Sequence, residues 1–180
     1  VMDSYAYTYN APTSSVTNEP AIGITQTKGP INTSDGIDND NDGIVDEPFE
    51  NMFMTNFMYY NNTFPGIPLA QTDPSNATEY FNYMNSFWKD GAALSCGGDG
   101  YGGSIPVSYA YSANTFTSGP CGASTWTESG AGSDKKFVMS SGPSILQPGS
   151  FNEVEYAYIA SFDSITNNPL HNLDSVVNSL

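Results

Sequence analysis

The sequence predicts a mainly β chain: a two-sheet antiparallel β-sandwich, jelly-roll or immunoglobulin-like, with one inserted helix and a calcium loop. Three observations carry that prediction. Residues 4–9 alternate strictly, with Tyr5, Tyr7 and Tyr9 on one face, which is the period-2 signature of a strand. Residues 154–162 repeat the alternation over a longer run, with Val154, Tyr156, Tyr158, Ala160 and Phe162 on one side. Counting these two, about eight short β-type segments are punctuated by Gly, Pro and Asn, with one helix inserted, as in sandwich folds. No repeat with a period of roughly 20–50 residues is present, which removes solenoids and propellers.

Residues 1–19 read as an N-terminal strand and flexible link, and 20–180 as the sandwich domain with its calcium loop at 35–50. Asn10-Ala11-Pro12 ends the first strand, and a Thr/Ser/Asn-rich link runs to Pro20. A second strand is expected at 21–27, closed by Gly29-Pro30. In the acidic stretch that follows, Asp38, Asp40 and Asp42 stand two apart, Gly43 follows, and Asp46-Glu47 come after Ile44-Val45. Side chains two apart converge only if the backbone curls around a centre. Gly43 supplies the turn, and the Ile44 carbonyl is the expected main-chain ligand. The expected calcium ligands are therefore Asp38, Asp40, Asp42, Ile44, Asp46 and Glu47. A helix-loop-helix sensor would place a bidentate Glu where Phe49 stands; Glu50 comes one residue later. The stretch reads as a calcium-stapled surface loop, with a solvated acidic turn as the alternative.

Residues 51–60 are rich in Met, Phe and Tyr on both faces. They suit a strand buried between two layers, or a helix if the methionines decide. A helix is expected to begin at Asp73-Pro74, with Asp73 as N-cap and Gly91 beyond its end. Tyr80, Met84, Phe87 and Trp88 then share a core-facing stripe. The glycine-rich run 91–103 reads as a surface loop tied down by Cys96. A phosphate cradle would need a following helix and a Lys, and neither is there. Further strands are expected at 105–111, around 125–128, at 137–141 and at 144–147. After Pro148-Gly149, 154–162 is apolar enough to be a central strand. The tail, 168–180, suits a short helix using Leu170, Leu173, Val176, Val177 and Leu180.

The chain has 180 residues, 19 of them acidic against four lysines, for a net charge of −15. It would repel nucleic acid and anionic lipid. No apolar run approaches the roughly 20 residues that span a bilayer, so membrane insertion is not expected. The chain opens at Val1 with neither an initiator Met nor a signal peptide, as a mature, processed product or a trimmed chain does. Cys96 and Cys121 would form a disulfide in an oxidising compartment; two unrelated reduced thiols are the alternative. Neither has the neighbours a zinc site needs.

Four segments, in order, carry a resemblance: 35–47, Phe57-Met58-Tyr59-Tyr60-Asn61-Asn62, Tyr83-Met84-Asn85-Ser86-Phe87-Trp88-Lys89-Asp90-Gly91 and Phe137-Val138-Met139-Ser140-Ser141-Gly142-Pro143. Together they resemble large, uncharacterised secreted proteins of Bacteroidetes-type bacteria, many exported by the type IX system. The likeness spans about residues 20–165 and lacks the usual C-terminal sorting domain. It implies an extracellular or cell-surface location and brings no enzymatic activity with it. That compartment also suits a glycoprotein. Ser164 and Ser175 sit in Asp-Ser-aliphatic sequences of the type such bacteria O-glycosylate, and Asn32, Asn61 and Asn76 match the N-linked sequon.

No enzyme is expected. His171 is the lone histidine and lies in the tail, no nucleophile elbow is present, and Glu153 with Glu155 is the one tempting carboxylate pair outside the acidic stretch. Tyr101, Tyr109, Tyr111 and Trp126 offer a platform for glycans, so a calcium-dependent carbohydrate-binding module is one reading. The favoured reading is a structural or adhesive subunit that self-associates into a homopolymeric fibril. In it the strand bearing Tyr5, Tyr7 and Tyr9 pairs with a neighbouring subunit; ordinary pairing inside its own domain is the alternative.

Overall fold

In a computed structural model the described residues are 5–9, 20–39, 42–111, 121, 126, 135–162 and 169–180, with the backbone alone for Tyr9, 169–171 and Asp174. They are mainly β, in two antiparallel sheets with few helices: β1 (Tyr5–Tyr9), β2 (Ala21–Lys28), β3 (Asn56–Asn61), α1 (Ala77–Met84), β4 (Lys135–Ser140), β5 (Glu155–Ser161) and α2 (Pro169–Val177). The described strands are thus fewer than the sandwich reading counts on. The chain divides into two compact units, Val1–Met54 with Ser141–Leu180, and Thr55–Ser140.

The first unit holds the sheet β1-β2-β5. Tyr5↔Thr25 through Tyr9↔Ala21 set the β1–β2 register, and Ala21↔Ser161 through Gln26↔Tyr156 set that of β2–β5. Ala21, Thr25, Ile159 and Ser161 lie on one face and are buried. The α2 side chains Leu173 and Val177 cluster with Ala21 and Ile159. A Cβ on Gly23 would lie 3.0 Å from Leu173 Cδ1, so the bare backbone is what lets the helix sit this close. The opposite face carries Ile22, Tyr156 and Tyr158, all exposed. Here the structure corrects the expectation of a central final strand: among the described residues β5 pairs with β2 alone and is an edge. The apolar look of 154–162 comes from tyrosines, whose rings tolerate water at the hydroxyl end.

The second unit pairs β3 with β4 from Asn56↔Ser140 to Asn61↔Lys135. Met58, Tyr59, Tyr83, Trp88, Leu94 and Ala110 form its core. The strand expected at 51–60 starts only at Asn56, and the helical alternative is not taken.

The helix also differs from expectation. Its N-cap is Asn76, whose side chain accepts from the Glu79 N–H, while Glu79 accepts from the Ser75 N–H. This reciprocal capping places the start later than Asp73. Asp73 instead pairs with Lys136 at 2.5 Å and accepts from the Thr63 N–H, and that hydrogen bond to Lys136 holds its carboxyl below the usual range. The helix ends at Met84, and Ser86 takes φ +58°. The stripe therefore breaks: Tyr80, Met84 and Phe87 are exposed, and Tyr83 and Trp88 are the buried pair.

Residues 105–111 form isolated bridges, Ser95↔Pro106 and Phe57↔Tyr109, instead of a strand; Pro106 has no N–H to give a ladder. Residues 144–147 form no strand either, and Ile145 and Leu146 are exposed. Of 125–128 only Trp126 is described, bridged to Gly98. Cys96 and Cys121 are joined by a disulfide with Cα atoms 5.4 Å apart.

Candidate cation site in the acidic loop

The acidic stretch is a loop closed at its base. Ile31 bridges Asn51, the Asn32 N–H donates to Glu50 O at 3.1 Å, and the Met52 N–H donates to Pro30 O at 2.9 Å. Above that base the carboxylates curl the backbone. Asp38 accepts from the Asp42 N–H (3.2 Å) and the Gly43 N–H (2.9 Å), and Asp42 from the Ile44 N–H (2.8 Å). Asp46 accepts from the amides of Asp35 (2.8 Å) and Gly36 (3.0 Å). Gly43 takes φ +99°, the tight turn expected of it, and Asp46 itself takes φ +57°.

Asp40 lies outside the described residues. Among the described ones, no three His, Cys, Asp or Glu side chains converge closely enough to hold an ion. Asp38, Asp42 and Asp46 are turned onto backbone amides instead.

Spacing alone did not single out Glu50. Its side chain is fully buried, one carboxylate oxygen accepts from the Asn39 N–H, and the other, Oε2, is buried with no hydrogen-bond partner among the described residues. A buried anionic oxygen without a donor is costly, and a hard cation is the kind of group that satisfies it. The signal in the sequence was a Glu one residue beyond the sensor position, which a fixed spacing rule passes over.

The other candidate residues are dispersed. Glu153 is ion-paired to Lys28 at 2.6 Å, an exposed contact that lowers the Glu153 pKa and raises that of Lys28. Glu155 begins β5 and is exposed. The His171 side chain lies outside the described residues. Of the residues expected to form an aromatic platform, Tyr101 is linked to Tyr111 and Trp126 through Trp88 and Tyr59, which are buried. Tyr101 approaches Trp88 (6.1 Å, 57°), Trp88 meets Tyr59 edge-on (5.5 Å), and Tyr59, Tyr111 and Trp126 follow at 5.2 Å steps, tilted by 42° and 46°. Tyr101 also donates its hydroxyl to Asp90 at 2.5 Å, which raises its pKa. Burial does the same for Tyr109.

Of the acceptor sites, Asn76 and Ser175 are exposed, while Asn32 and Asn61 are buried. Asn32 donates to Asp35, and Asn61 accepts from Lys135 at 2.6 Å. Ser164 lies outside the described residues. The chain matches no protein-family model, no curated protein and no solved structure.

Proposed function

We propose that this chain is a secreted, calcium-stabilised structural or adhesive protein of the cell surface, and a subunit of an extracellular fibre built by strand pairing between copies. In the single chain β1 pairs with its own β2, the ordinary alternative; the length of the link that follows β1 is the observation that carries the reading. Among the described residues β1 is an edge strand, and Tyr9 stands opposite Ala21. Residues 10–20 therefore join two strand ends that already face each other, where a two-residue turn closes the commonest hairpins. Extended, such a stretch spans roughly 36 Å. That reach allows β1 to leave its own β2 and take the same five-pair register on the β2 of a neighbour. Each copy then gives one strand and receives one, a heterologous contact that propagates as a fibre unless its rotation closes a ring.

Charge and redox state support the same setting. At −15, copies repel each other, and a divalent cation on the acidic loop lowers that barrier. The residues that would hold it are Asp38, Asp42, Asp46 and Glu47 with the Ile44 carbonyl, together with Asp40; bound there, calcium would supply charge neutralisation and rigidity. The Cys96–Cys121 disulfide suits an oxidising compartment. Among the described residues no helix is long and apolar enough to cross a membrane. A carbohydrate-binding role draws less support, because the tilted rings give a sugar no flat face.

Deleting residues 1–12 tests the proposal. The expected product is a folded monomer that has lost assembly and nothing else, read by circular dichroism and negative-stain imaging. A truncated protein that unfolds outright would show β1 to be an ordinary internal strand.

A further inference from the structure

We infer that Glu50 is a direct ligand of the ion held by the acidic loop, and that through it the ion is tied to the base of that loop. The inference rests on the calcium reading of residues 35–47 and adds a ligand that spacing does not supply.

Glu50 is fully buried, yet among the described residues one of its carboxylate oxygens has no donor. A buried carboxylate in that position needs a positive partner. The protein supplies no such partner from its lysines. Lys28 is paired with Glu153, Lys89 with Glu79, and Lys136 with Asp73, while Lys135 donates to Asn61. The chain contains no arginine.

The position of the group points the same way. Its other oxygen accepts from the Asn39 N–H, inside the turn that Asp38 closes on the amides of Asp42 and Gly43. The orphaned oxygen is thereby held beside that turn. The Glu50 backbone, meanwhile, is fixed at the loop base by the Asn32 N–H. An ion shared by Glu50 and Asp38 therefore joins the carboxylate of the turn to one pinned at the loop base. This explains how an acidic loop without flanking helices can be rigid: its closing carboxylate comes from the base, one residue later than a helix-loop-helix sensor places it.

The test uses the full chain and calcium chloride, with isothermal titration calorimetry and thermal unfolding in calcium and in chelator. Wild type should bind calcium and melt higher with it. Glu50→Gln should weaken calcium binding about 100-fold or more, while the calcium-free variant melts at or above the calcium-free wild type, because an uncompensated buried charge is gone. Asp38→Asn should also weaken binding. Calcium affinity in Glu50→Gln within about threefold of wild type, with Asp38→Asn impaired, would overturn the role of Glu50 and leave the calcium loop standing. A wild type that ignores calcium, with Glu50→Gln melting higher, would overturn both. Should Glu50→Gln not fold, Glu50→Asp keeps the charge and withdraws it by one methylene; unchanged affinity there counts against the inference, and weakened affinity supports it.

Discussion

Replacing Trp88 with alanine is expected to destabilise the second unit by about 4 kcal/mol. Trp88 is fully buried in the core with Met58, Tyr59, Tyr83 and Leu94. Its ring meets Tyr59 and Tyr83 edge-on at 5.5 and 6.5 Å, geometry that adds to plain burial. Its indole N–H donates to Gly100 O at 2.9 Å, and the same carbonyl accepts from the Ser95 N–H at 2.8 Å. The ring thus anchors the glycine-rich run as well as filling the core. Alanine leaves a cavity and removes one of the donors that hold that run. Trp88→Phe keeps part of the ring and loses the donor, so it should cost clearly less. Urea unfolding followed by far-ultraviolet circular dichroism measures both; a Trp88→Ala loss under about 1 kcal/mol would contradict this account of the core.

Gly29→Ala is expected to cost about 3 kcal/mol or more in the first unit. An added Cβ would stand 1.6 Å from the Met52 carbonyl oxygen and 2.4 Å from Gln26 Nε2. Those two atoms are themselves hydrogen-bonded at 2.7 Å in a buried position. The methyl group has nowhere to go unless the Met52 segment moves off β2, and that segment includes the Met52–Pro30 hydrogen bond at the base of the acidic loop. Gly66→Ala is the control. Its site is open, but φ is +95°, so the substitution should cost only about 1 kcal/mol of backbone strain. Equal effects from the two glycines in thermal unfolding would contradict the packing argument.

Strand positions were legible where side-chain alternation was strict. Tyr5–Tyr9, Ala21–Lys28 and Glu155–Ser161 lie where the pattern placed them, within the usual drift at element ends. What alternation cannot supply is the partner. Residues 154–162 read as central because tyrosine counts as apolar, and a sequence does not say which face of a ring meets water.

The helix start was missed for a related reason. Asp73-Pro74 and Asn76 with Glu79 both look like N-caps, and the choice depends on Lys136 drawing Asp73 into an ion pair from far along the chain. In the acidic stretch the turn at Gly43 was legible, because a two-residue carboxylate spacing forces curvature. Glu50 was not: its importance lies in burial and an unmatched oxygen, both consequences of the base pairing between Pro30–Asn32 and Glu50–Met52.

The exchange of β1 between copies is tested most directly by a cross-strand disulfide at Thr8 and Ile22. These residues are register partners and both exposed, and neighbouring strands bring such pairs within disulfide reach. Thr8→Cys with Ile22→Cys, assembled at high concentration in calcium and then oxidised, should run on a non-reducing gel as a ladder of covalent oligomers. A single monomer band, with every new disulfide internal to one chain, would contradict strand exchange.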